Sequence, residues 1–172
     1  MKLLLNVHLP LLPLEALCPR WSEPASRVVI EQGRVLTMSR EAARAGVRHD
    51  MRSGGVLAIA PETAFLERNL EKESEALNAI STALMRFTPE VTFEDNFSVL
   101  LDVTASLRLF GGPHAICSLV KQSVTALGFS LQLGAAPTAY GAWLLAQSYR
   151  SRGLTFRRRV LSIDSLTKRL NL

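Results

Sequence analysis

Cysteine, histidine and aromatic residues are scarce in these 172 residues: two cysteines, three histidines and an aromatic share of 6%. Cys18 and Cys117 lie far apart with no metal-ligand spacing around either, which excludes a disulfide scaffold and a zinc module and favours a reduced, cytoplasmic setting. A membrane-spanning run is missing too. The longest apolar stretch, Met1 to Leu17, is interrupted by Asn6, His8, Pro10, Pro13 and Glu15. Lys2 followed by leucines imitates a secretory leader, but Leu17 stands before Cys18 where lipoprotein processing needs a small side chain. No membrane association is expected.

What the chain does have is 48% apolar residues, enough to bury a core, in a length that suits one domain or one domain with a small insertion. Its net charge of +5 is uneven. Arg150, Arg152, Arg157, Arg158, Arg159, Lys168 and Arg169 share the last segment with the single acid Asp164, so the remainder is close to neutral. Such a tail can hold phosphates by counterion release, or be a solvated linker.

Periodicity orders the chain. Leu3 to Leu9 reads as a buried strand stopped by Pro10, and residues 11–26 as a proline-broken connection with a turn or two of helix. Residues 27–31 and 34–38 read as strands around a Gln32-Gly33 turn, followed by a helix capped by Ser39 and ended at Gly46. Apolar spacing from Glu62 to Phe87 predicts the longest helix, with residues 71–75 as its wet face. A second hairpin turns at Glu94-Asp95-Asn96, a helix follows Gly111-Gly112-Pro113, residues 129–133 alternate as a strand, and a helix runs from Thr138. Without the insert the order is βαββαβ, which predicts an α/β (α+β) ferredoxin-like antiparallel sheet. The expected parts are 1–10 with 62–150, an insert at 11–61, and a basic linker at 151–172.

Several segments resemble the Y-family DNA polymerases: Ala45-Gly46-Val47-Arg48-His49-Asp50-Met51, Leu101-Asp102-Val103-Thr104 and Gly134-Ala135-Ala136-Pro137-Thr138. The resemblance implies a ferredoxin-like palm with an inserted small fingers subdomain, followed in the family by a thumb that would lie beyond Leu172. Two-metal phosphoryl transfer needs converging carboxylates around ions roughly 4 Å apart. Counting back from Asp102 puts Phe97 and Ser98 at two of those carboxylate positions, and His8 takes the third. Leu11-Leu12 replaces the aromatic pair, and the nucleotide-facing Tyr and Arg fall on Arg40 and Ala43.

These departures imply no catalytic residues, no metal and no cofactor, and are similar to the catalytically inactive ImuB branch, with its leucine- and proline-rich Leu9 to Leu17 run and its Leu107 to Gly112 run. The resemblance then implies a scaffold for damage-induced, error-prone translesion synthesis. Its partners would be the sliding clamp, a RecA-like accessory protein and a mutagenic C-family polymerase, reached through C-terminal regions beyond Leu172, with weak DNA-backbone contacts from Arg157, Arg158 and Arg159. The alternative is an active translesion polymerase with displaced ligands, Glu94 and Asp95, reached by a register slip that would swap the faces of Leu100, Leu101 and Val103. Asp102 is expected to satisfy a neighbouring backbone or basic group at its strand end.

Overall fold

The computed structural model describes residues 2–19 and 24–148. The basic linker at 151–172, with Arg157, Arg158 and Arg159, lies outside the described residues. Two compact units are present, one built from residues 2–10, 78–127 and 131–148, the other from 11–19, 24–77 and 128–130.

The first unit is a four-stranded antiparallel sheet in the order β5-β6-β1-β7. Its strands are β1 (Leu4–His8), β5 (Val91–Glu94), β6 (Ser98–Asp102) and β7 (Gln132–Ala136). β1 pairs with β6 from Leu4↔Asp102 to His8↔Ser98 and with β7 from Leu4↔Ala136 to His8↔Gln132. Because side chains alternate, Leu5, Val7, Val99, Leu101, Leu133 and Ala135 share one face, and all are buried. The other face carries Leu4, Asn6 and His8 beside Ser98, Leu100 and Gln132. Helix α5 (Pro113–Ala126) buries Ile116, Cys117, Val120 and Val124. Burial pushes the Cys117 thiol up to about 12, so it is a packing residue rather than a nucleophile.

Helix α6 (Ala139–Gln147) is capped by Thr138, whose hydroxyl accepts from the Gly141 amide at 3.2 Å. Its buried residues Gly141, Ala142 and Ala146 are small, and Ala142 and Leu145 pack with Leu4, Ala136 and Leu100. α6 therefore covers the β1–β7 half of the polar face. β7 occupies residues 132–136 rather than the expected 129–133, so Gly134-Ala135-Ala136, beyond the expected strand, belongs to it. Glycine and alanine are poor strand formers in isolation. Here they let a helix backbone approach the sheet.

The second unit holds β2 (Arg27–Glu31), β3 (Arg34–Met38) and β4 (Ala64–Glu67) in the order β3-β2-β4. Positive φ at Gln32 (49°) and Gly33 (73°) suits the tight hairpin between the first two. Val28, Ile30, Val35, Met38, Ala42, Val47, Val56 and Ala60 form its core, with α2 (Arg40–Arg44) and α3 (Ser53–Ile59) supplying the helical members. Helix α1 (Leu12–Glu15) contributes Glu15, whose buried carboxylate accepts from both the Ser130 amide and the Ser130 hydroxyl at 2.6 Å.

The expected helix from Glu62 to Phe87 is in fact two elements. Ala64–Glu67 pairs in parallel with β2, and α4 (Leu70–Leu84) begins after Asn69, whose side chain accepts from the Lys72 amide at 2.9 Å. Helical spacing in the sequence cannot register that β2 offers an open edge. Nor is the 71–75 stretch wholly wet: Glu73 is 4% exposed and bound to Arg68.

Candidate functional site

One transverse row of the first sheet runs Glu94, Ser98, His8, Gln132, each directly opposite the next. Facing residues of paired strands project on the same side, so strand register alone brings His8 and Ser98 together. His8 Nδ1 and Ser98 Oγ lie 3.3 Å apart. Phe97 is adjacent in the β5–β6 turn, and its carbonyl accepts from the Leu9 amide at 2.9 Å. Asn96 and Phe97 both have left-handed backbone, with φ of 56° and 55°. Asparagine tolerates that region, whereas a bulky phenylalanine seldom does, and such strain typically costs ~1–3 kcal/mol.

The β5–β6 ladder runs continuously from Val91↔Leu101 to Glu94↔Ser98, leaving Glu94 in the strand and Asp95 in the turn. Leu101 and Val103 are fully buried. Among the described residues, no group of three or more His, Cys, Asp or Glu side chains is placed to hold a metal ion.

One step further along the same face lies Asn6, fully buried, with both its amide oxygen and its amide nitrogen lacking a hydrogen-bond partner. It lines an open cleft of about 380 Å³ whose walls include Glu94, Asp95, Leu100, Tyr140 and Trp143. The rings of Tyr140 and Trp143 stack at 5.9 Å between centroids. α6 covers β7 and β1 but leaves the β6 side of this face open, and that gap is the cleft. Sequence reading missed Asn6, Tyr140 and Trp143, since nothing local marks an asparagine in an apolar strand as unpartnered.

The expected nucleotide-facing positions, Arg40 and Ala43, lie in the second unit. Arg40, at the start of α2, lines a second cleft of about 280 Å³ with Glu15, Arg27 and Ser130, while Ala43 is exposed on the same helix. Asp102 has the expected structural role: its carboxylate accepts from the Thr104 amide at 3.0 Å and lies 4.0 Å from Lys2 Nζ. Thr104, and secondarily Lys2, hold its pKa below the ordinary value. A depressed carboxyl pKa adds stability that is complete above the unfolded value of about 3.9 and is lost as pH falls through the folded one. Asp102→Asn is therefore expected to lower stability by about 1 kcal/mol at neutral pH. The gap from wild type should close as urea melts are taken from pH 5 towards pH 2. A gap that widened in acid would refute this role.

A ferredoxin-like antiparallel sheet with an α/β unit inserted after its first strand, and a cleft at the end of the central hairpin, defines the palm-and-fingers class of polymerase fold. The structure overlays on the insertion ternary complex of Dbh DNA polymerase with a TM-score of 0.79, covering 98% of this chain and 51% of that one at 20% identity. A DinB family error-prone DNA polymerase from Sulfolobus solfataricus gives 0.72 over 96% of this chain and 49% of that one, at 19% identity. At such identities the likeness is one of fold.

The chain belongs to the impB/mucB/samB family (IMS), whose sequence profile matches residues 18–147. It is similar to DNA polymerase IV 2 of Mesorhizobium japonicum, 29% identical over 128 residues that make up 74% of this chain and 31% of that protein. Protein ImuB of Caulobacter vibrioides is 26% identical over 102 residues, 59% of this chain and 22% of that protein. The chain thus spans less than a third of the length of either relative. Among the described residues, no helix is long and apolar enough to cross a membrane.

Proposed function

We propose that this chain is the palm-and-fingers portion of a non-catalytic Y-family relative, one that supports error-prone translesion synthesis as a scaffold. The palm would be the first unit and the fingers the second. The observation that carries the reading is the His8–Ser98 contact with Phe97 beside it, at the three positions where the resemblance places metal-binding carboxylates. Magnesium prefers hard oxygen anions in near-octahedral geometry, and an imidazole, a hydroxyl and a phenyl ring do not supply them. The donor set does not fit a catalytic metal pair.

The similarity to protein ImuB supports the scaffold reading, and the similarity to DNA polymerase IV proteins supports the shared fold. On the scaffold reading, Arg157, Arg158 and Arg159 contribute weak contacts to DNA backbone. The sliding clamp, a RecA-like accessory protein and a mutagenic C-family polymerase are its partners, and the cytoplasm its location.

Manganese binding measured by electron paramagnetic resonance, with primer–template and nucleotide present, tests the reading directly. Binding no greater than that of free nucleotide is expected. Tight binding that disappears in Asp95→Ala would overturn the scaffold and establish the alternative, an active polymerase using Glu94 and Asp95.

A further inference from the structure

The cleft over the polar face of the sheet has a chemistry unlike that of a phosphate site. Its rim carries the carboxylates of Glu94 and Asp95, its wall is the stacked pair Tyr140 and Trp143, and its lining includes the unpartnered amide of Asn6. Tyr140 is 70% exposed, so an aromatic edge this large stands open to a partner. The volume of about 380 Å³ falls among small-ligand sites.

We propose that this cleft receives an arginine side chain presented by a partner protein. The proposal rests on the non-catalytic reading of the neighbouring His8–Ser98 site and names what the adjoining cleft takes. Carboxylates repel a nucleic-acid backbone and attract a cation, and aromatic faces attract cations through their quadrupole. The Asn6 amide asks in addition for a group with several donors. Guanidinium meets all three demands: it is planar, stacks on aromatic rings, keeps its charge, and carries five N–H donors in a rigid fork. Laid against Trp143, it gives the Asn6 carbonyl a donor and turns its remaining N–H groups to Glu94 and Asp95. A lysine ammonium satisfies the charge but neither the stacking nor the fork.

The test uses the whole chain carrying Trp21→Phe, which leaves Trp143 as the reporter, since the sequence has two tryptophans. The probe is a blocked Gly-Arg-Gly peptide at constant ionic strength, against the same peptide with neutral, near-isosteric citrulline. A saturable change in Trp143 emission is expected with arginine, at least fivefold weaker with citrulline. Asn6→Leu should weaken arginine binding at least fivefold, and so should Glu94→Gln combined with Asp95→Asn. The carboxylate pair lies on exposed positions, so that double variant reports on the cleft even where Asn6→Leu disturbs the strand. Equal responses to the two peptides, or a stronger response to an oligothymidylate, overturn the proposal. If neither peptide nor manganese binds, the arginine proposal alone fails; tight manganese binding removes the non-catalytic reading and this proposal together.

Discussion

Gly134→Ala is expected to cost at least about 3 kcal/mol of stability. A Cβ at Gly134 would overlap the carbonyl oxygen of Ala142 and stand 2.5 Å from the amide nitrogen of Ala146. Both obstacles are helix backbone, so no rotamer change relieves them and α6 must lift from β7. Overpacking a core commonly costs ~1–3 kcal/mol where side chains can yield, and here they cannot. In a chain of this size that corresponds to roughly 6–12 °C in the melting temperature. Ala142→Gly should not rescue the variant, because the blocking atom is not a side-chain atom. The emission of Trp143, carried on the displaced helix, should shift as well. A melting point within about 2 °C of wild type would show that α6 does not lie this close to β7.

Arg68→Met is expected to destabilise the second unit by about 3–5 kcal/mol, because it strands a buried carboxylate. Arg68 donates from Nε and Nη2 to the two oxygens of Glu73 at 2.8 Å each, and from Nη1 to Glu31 at 2.7 Å. These bonds, that to Glu73 foremost, raise the guanidinium above its already high pKa, and it stays charged at every working pH. Glu73 has a side chain only 5% exposed, whereas that of Glu31 is 42% exposed. The two acids therefore predict different costs. Loss of Glu31 should cost no more than about 1 kcal/mol, as for an exposed pair. Adding Glu73→Leu to Arg68→Met should recover most of the loss, since replacing a whole buried pair with apolar residues is often close to neutral. Urea denaturation of the two single variants and the double closes the cycle. Additive losses would show that Arg68 and Glu73 are not coupled.

Arg68 also shows where sequence reading stops. Glu71 to Glu75 looks like a solvated run, and its other four members are exposed, but one acid in the middle turns inward to a partner at the end of β4. That inward turn depends on β4 being a strand, and β4 is a strand because β2 has an edge to pair with. No local pattern in Ala64–Glu67 carries that information. The same holds for β7, whose glycine and alanines lie beyond the strand that alternation predicts.

By itself the sequence determined the order of most elements, the βαββαβ frame, the β2–β3 hairpin and the helix cap at Ser39, because these follow from alternation, helical spacing and turn chemistry within a few residues. Counting back from Asp102 without gaps singled out Phe97 and Ser98, and the end of the first strand singled out His8, as expected site positions. The tertiary structure alone decided that His8 and Ser98 face each other, that Asn6 lies buried without partners beside two stacked rings, and that Glu73 belongs to the interior. Each of these is a relation between residues distant in sequence, fixed by strand register and by how closely a helix can approach a sheet, and no local propensity encodes it.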